Sequence, residues 1–217
     1  MRNYLLFDLD GTLTDPKEGI TNSVAYALAY FGIEVKEKEE LIPFIGPPLT
    51  DSFREFYGFS MEQSLVAVEK YREYFSDRGI FENRVYDGIL PLLKELKEAG
   101  KTLILATSKP TVYARQIVEK FGLAEYLSDV QGSELDGTRV KKAEVIQKAL
   151  KDNGIENLQN AIMVGDRKHD ILGAHQVGLQ AVGVLFGYGS VEELTLAGAD
   201  YLTADLEELR RCLLNLS

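Results

Sequence analysis

A doubly wound parallel sheet of the α/β class, interrupted once by an all-helical insertion, is the fold this sequence predicts. Three observations carry it. Short apolar runs recur along the chain without internal polar residues, as suits strands covered on both faces. Segments of helical period separate them, which implies right-handed crossovers between parallel strands. One long stretch near the N-terminus keeps helical periodicity but contains no convincing strand.

The first strand is Tyr4-Leu5-Leu6-Phe7. Beyond it, Ile20, Val24, Ala27, Leu28 and Phe31 share one helical face, and Gly32 supplies a stop. Leu65, Val68, Tyr71, Arg72 and Phe75 outline another helix that ends near Gly79. Lys36 to Glu40 is a short charge run, read as a solvated face. Pro16 on one side and Asn83 to Gly88 on the other read as connectors. The insertion therefore spans residues 15–82, and the sheet-forming domain comprises 1–14 and 83–217. The alternation then resumes with a helix over 89–99, a strand over 102–106 and a helix over 112–121. A weaker strand surrounds Val130, followed by a helix over 140–151, a strand over 161–164 and a helix over 170–176. A strand over 181–185, a helix over 191–197, a weak strand at Tyr201 and an amphipathic stretch over 206–216 complete the pattern.

The chain has 217 residues, 45% of them hydrophobic and 27% charged, enough for a sizeable core in an ordinary soluble protein. Its formal charge of −10 argues against a nucleic-acid partner, which would need a basic face. No apolar run is long enough to span a membrane, and Asp8 and Asp10 interrupt the N-terminal one, so a cytoplasmic protein is expected. The lone Cys212 forms no internal disulfide and reads as a small core residue. A monomer or a homodimer is compatible with all of this.

Chemistry collects where the strands end. Asp8-Leu9-Asp10-Gly11-Thr12-Leu13 follows the first strand, Thr107-Ser108-Lys109 the second, and Gly165-Asp166-Arg167-Lys168-His169-Asp170 the third. In an open parallel sheet these ends share one rim, where ligands bind. Each motif alone has a bland reading: a turn, a helix N-cap, or acids in a first helical turn. Together they crowd carboxylates that repel one another unless a divalent cation binds them. Arg167, Lys168 and His169 read as an exposed basic spacer, with orienting or partly neutralising the two aspartates as the alternative, and His175 reads as structural. Gly187-Tyr188-Gly189 leaves a strand on the same rim, either to approach the site or simply as a turn.

On these motifs the chain resembles the haloacid dehalogenase superfamily, and within it phosphatases related to phosphoglycolate phosphatase and bacterial 5′-nucleotidases. Asp8 and Asp10 match its first motif, Thr107 its second, and Asp166 and Asp170 its fourth. The third is a lysine, matched by Lys142 or by Lys141. The resemblance implies a Rossmann-like core with an inserted helical cap domain and a Mg²⁺-dependent phosphatase that acts through an aspartyl-phosphate on a small phosphorylated metabolite, either 2-phosphoglycolate or a nucleoside 5′-monophosphate. Asp8 would be the nucleophile and Asp10 the proton shuttle. Thr107, the Ser108 N–H and Lys142 would hold the phosphoryl oxygens. Mg²⁺ would sit on Asp8, the Asp10 carbonyl and Asp166, with Asp170 reaching it through water or from behind a ligand. In the cap, Gly46 in the loop Phe44 to Leu49 and Arg54 on the helix after it would face the substrate. Asp10 speaks against dehalogenases, which lack a second carboxylate, and the cap loop has no lysine for phosphonate cleavage. A phosphosugar mutase on the same core and a non-catalytic phosphate-ligand-binding regulator remain as alternatives. The second has no need of a proton shuttle.

Overall fold

The computed structural model describes residues 2–216. In chain order the elements are β1 (Tyr4–Phe7), β2 (Thr14–Asp15), α1 (Lys17–Tyr30), α2 (Leu49–Tyr57), α3 (Met61–Tyr74) and β3 (Arg84–Val85). Then follow α4 (Ile89–Glu98), β4 (Thr102–Pro110), α5 (Thr111–Lys120), β5 (Asp129–Ser133) and α6 (Lys142–Asp152). The chain closes with β6 (Ala161–Gly165), α7 (Lys168–Gln176), β7 (Gln180–Val184), α8 (Val191–Leu196), β8 (Tyr201–Thr203) and α9 (Leu206–Asn215). Two compact units result: residues up to Asp15 together with the chain from Val85 onward, and Pro16–Arg84.

The first unit is built on a six-stranded sheet ordered β5-β4-β1-β6-β7-β8, with every adjacent pair parallel. Its central strand explains the uninterrupted apolar run: Leu5, Leu6 and Phe7 are all fully buried, so both faces of β1 are covered. Leu6, Ile104, Met163 and Ala181 pack with Val145, Ile146 and Ala149 of α6 and with Ile171 and Ala174 of α7 in one core. Register fixes the functional rim. Phe7 stands opposite both Leu105 and Val164, so Asp8, Thr107 and Asp166 leave adjacent strands at nearly one level.

The second unit is helical and carries its own aromatic core. Phe44 and Phe53 meet edge-on with ring centroids 5.0 Å apart, and Phe59 packs against Phe31 at 4.7 Å. α3 starts with a reciprocal capping box, in which Ser60 Oγ accepts from Gln63 N–H and Gln63 Oε1 accepts from Ser60 N–H. The solvated reading of Lys36 to Glu40 holds, all five being exposed, and one helix position changes. The segment read as a solvated charge run enters a 3-10 helix, Lys38–Phe44, whose Leu41 and Phe44 are buried while its acids face solvent. Leu65 lies on the exposed side of α3, because the buried stripe runs through Ser64, Ala67, Val68 and Tyr71. Among the described residues, no helix is long and apolar enough to cross a membrane.

Candidate active site

β1 ends where its backbone is still paired, the Asp8 N–H donating to the Val164 carbonyl at 2.9 Å. The chain then turns tightly. The Leu9 carbonyl accepts from the N–H groups of Thr12, Leu13 and Thr14, and Gly11 adopts a φ of 83°. Gly11 is required on two counts. Its φ is left-handed, and a Cβ there would lie 2.1 Å from Asp166 Oδ2. The turn thus lets two strand ends approach closely, and Thr12 Oγ1 donates to Asp166 Oδ1 at 3.3 Å.

Asp8, Asp10, Asp166 and Asp170 are all buried. Lys142, the first residue of α6, reaches in among them. Its Nζ lies 2.8 Å from Asp8 Oδ1 and 2.7 Å from Asp170 Oδ1, and donates to the Ala106 carbonyl at 3.1 Å. Lys141, next to it, is exposed, so the geometry selects between the two lysines. Asp10 turns away from this bridge and pairs through Oδ2 with Lys109 Nζ at 2.7 Å. Thr107 is buried at the end of the β4 core and its Oγ1 accepts from the Lys109 N–H; Ser108 is half-buried, and its carbonyl accepts from Ser133 Oγ.

Asp166 is anchored from β7's side of the rim. The Tyr188 N–H donates to its Oδ2 at 2.8 Å, and the Tyr188 hydroxyl donates to Asp15. Gly187 and Gly189 make that approach possible, since a Cβ on either would fall within 2.5 Å of Asp166 atoms. Of the basic spacer, only Lys168 is exposed. Arg167 departs from the surface reading because its Nε donates to Glu193 Oε1 at 2.9 Å while its N–H donates to Asp170 Oδ2. His169 is half-buried, and burial lowers its pKa. His175 lies 3.0 Å from Asp200, a contact outside the rim.

The structure therefore gathers Asp8, Asp10, Thr107, Ser108, Lys142, Asp166 and Asp170 in the α/β unit. Gly46 and Arg54 belong to the helical unit, Gly46 with a φ of 105° just before α2 and Arg54 exposed on that helix. Sequence reasoning assigned no role to Lys109, Thr12 or the Tyr188 N–H. Their proximity to the carboxylates depends on strand register and turns rather than on local spacing.

Electrostatics identify what the cluster lacks. Burial, then the charges of Asp170 and Asp8, push the Asp166 carboxyl well above the usual range. Asp170 is pushed up to about 6, chiefly by burial and against the pull of Lys142. Burial alone would favour a neutral Lys142 amine, but the charges of Asp170 and Asp8 outweigh it and keep the lysine protonated. Four carboxylates face two ammonium groups, a deficit of two positive charges. Asp8, Asp166 and Asp170 each offer an oxygen within 4.8 Å of the others. An all-oxygen donor set with that deficit fits a hard divalent cation.

Comparison with known proteins finds similarity along most of the chain. A family model described as haloacid dehalogenase-like hydrolase matches residues 5–184. A 5′-nucleotidase of Pseudomonas aeruginosa is 47% identical over 209 residues, covering 96% of this chain and 94% of the relative. The tyrosine-protein kinase PtkA of Mycobacterium tuberculosis is 38% identical over 213 residues, covering 96% of this chain and 72% of that protein. The crystal structure of a predicted phosphatase from Clostridium acetobutylicum superimposes with a TM-score of 0.97 at 49% identity, covering 100% of both chains.

Proposed function

The chain belongs to the haloacid dehalogenase-like hydrolase family and is a phosphatase within it, and on that premise we propose that it hydrolyses a small phosphate monoester through an aspartyl-phosphate on Asp8. The observation that carries this reading is the division of the first-motif acids. Asp8 joins Lys142 and the Asp166–Asp170 group, while Asp10 stands apart on Lys109. Two carboxylates in different surroundings serve two different roles.

Phosphate monoesters are hydrolysed so slowly that the barrier must fall by about 20 kcal/mol or more. An Asp8 oxygen attacks phosphorus as the ester P–O bond breaks. Asp10 gives a proton to the departing alcohol. It then takes one from the water that attacks the aspartyl-phosphate, so Asp8 is regenerated and inorganic phosphate leaves. Thr107, the Ser108 N–H and Lys142 hold the phosphoryl oxygens, where transition-state charge gathers. Asp8, Asp166 and Asp170 would hold the divalent ion, Mg²⁺ in this reading, which when bound offsets repulsion between the nucleophile and the phosphoryl group.

A nucleoside 5′-monophosphate is the favoured substrate, supported by the relative named 5′-nucleotidase. 2-Phosphoglycolate stands next, supported by a Vibrio parahaemolyticus phosphoglycolate phosphatase at 26% identity. A panel of phosphorylated metabolites ranked by kcat/KM with Mg²⁺ tests this order, and a best substrate outside both classes overturns it. The relative named tyrosine-protein kinase favours a second reading, transfer of the phosphoryl group to a hydroxyl other than water. Phosphate release equal to the ester consumed supports hydrolysis; a shortfall recovered as a new phosphoester supports transfer.

A further inference from the structure

Lys109 closes β4 with a side chain only 5% exposed, and its Nζ holds Asp10 Oδ2 at 2.7 Å. The other oxygen, Asp10 Oδ1, is buried and has no hydrogen-bond partner among the described residues. One edge of the carboxylate is therefore fixed and the other is presented to the site. The backbone accounts for this inward aim. The register of β4 against β5 shifts between Ala106 and Pro110, and such irregularities redirect a side chain at a strand end. Gly132 of β5 lets the Lys109 carbonyl lie where a Cβ would be 2.4 Å away. Ser133 Oγ donates to the Ser108 carbonyl at 2.7 Å, and Lys109 N–H donates to Thr107 Oγ1 at 3.3 Å.

We infer that Lys109 is a positioning residue for proton transfer: it grips Asp10 by Oδ2 and so makes Oδ1 the atom that delivers the proton to the leaving oxygen. This rests on Asp10 being the proton donor, as proposed above. As the bond from an Asp8 oxygen to phosphorus forms and the ester P–O bond breaks, the proton on Asp10 Oδ1 passes to the departing alkoxide. Asp10 is left as a carboxylate against the Lys109 ammonium, which keeps its own protons throughout. Lys109 makes no contact with the phosphoryl group in this account.

The test compares leaving groups. 2-Phosphoglycolate and adenosine 5′-monophosphate release alkoxides that need a proton, whereas p-nitrophenyl phosphate releases a stable aryl oxide. The ratio of kcat/KM between each alkyl ester and the aryl ester is read for the wild type, Lys109→Met and Asp10→Asn in the same Mg²⁺ buffer. For Lys109→Met, kcat/KM on the alkyl ester turned over should fall about 10²-fold and on the aryl ester less than about tenfold. The inhibition constant of inorganic phosphate should stay within about threefold of wild type, because ground-state phosphate binding is untouched. Equal losses on both esters with weakened phosphate inhibition would make Lys109 a phosphate ligand and overturn the inference. An unchanged ratio in Lys109→Met, with a shifted one in Asp10→Asn, overturns the inference alone. An unchanged ratio in Asp10→Asn removes Asp10 as the donor, and the inference falls with it. Should Lys109→Met fail to fold, Lys109→Gln keeps a polar group beside Asp10 and reads the same ratio.

Discussion

Asp8 and Asp10 are two residues apart, yet each faces a different lysine from a different strand or helix. That separation gives the two acids distinguishable phenotypes. Asp8→Asn should abolish hydrolysis of p-nitrophenyl phosphate in a steady-state assay, and retained turnover would remove Asp8 as nucleophile. Asp10→Asn should still bind phosphate and lose about 10²–10⁴-fold in kcat, the range for one general acid. The carboxylates themselves were legible in sequence, because an apolar run followed by acids at i and i+2 is a local pattern. Of the lysines, Lys142 was expected from the family resemblance, with Lys141 as the alternative, and Lys109 was given no role. Lys141 and Lys142 are neighbours of identical chemistry, and only the direction in which α6 enters the core separates a buried bridge from an exposed side chain. Lys109 looks like any strand-end lysine until the register of β4 turns it inward.

At the level of elements, the contact between α6 and α7 shows how helix packing serves the site. Gly173 of α7 lies against the stem of Lys142, where an added Cβ would sit 2.8 Å from Lys142 Cβ and Cγ. Helix propensity alone predicts that Gly173→Ala stabilises the protein by about 1 kcal/mol. Crowding predicts the opposite, a loss of about 1–3 kcal/mol, with a fall in kcat as Lys142 is displaced. Urea unfolding and kinetics on the same variant decide between them. In the helical unit, Ser60→Ala removes one half of a capping box and should cost about 1 kcal/mol in the same assay. Helices and strands were placed well by periodicity because the apolar stripe is written into adjacent residues. The 3-10 helix Lys38–Phe44 is not legible in the sequence, since a charged run at its start hides the buried Leu41 and Phe44.

On the scale of the whole molecule, an acidic chain has concentrated part of its negative charge in its own interior. Binding of Mg²⁺ at about a hundred times its Kd should therefore add about 2.7 kcal/mol to the unfolding free energy. A thermal melt with and without Mg²⁺ reads this as a rise in Tm, and the rise should vanish in Asp166→Ala. Stability also depends on pH, through Glu193. Burial works against a charged Glu193, but hydrogen bonds from Arg167 and the Lys168 N–H outweigh it and hold its carboxyl below the ordinary 4.5. A group depressed on folding contributes fully above its unfolded pKa and loses that contribution as pH falls through the folded value. Glu193→Gln should accordingly lower stability at pH 7, and the gap from wild type should close as the pH drops below about 4.5. The parallel sheet, the rim and the acids upon it are already written in the order of the amino acids, because each follows from residues close together in the chain and from the fixed hand of strand crossovers. Which lysine neutralises which acid, which oxygen of Asp10 stays open and what orients Asp166 emerge only once the chain is folded. Those pairings join strand ends far apart in sequence, and at the rim a shift of one residue in register exchanges a buried ion pair for a solvated charge.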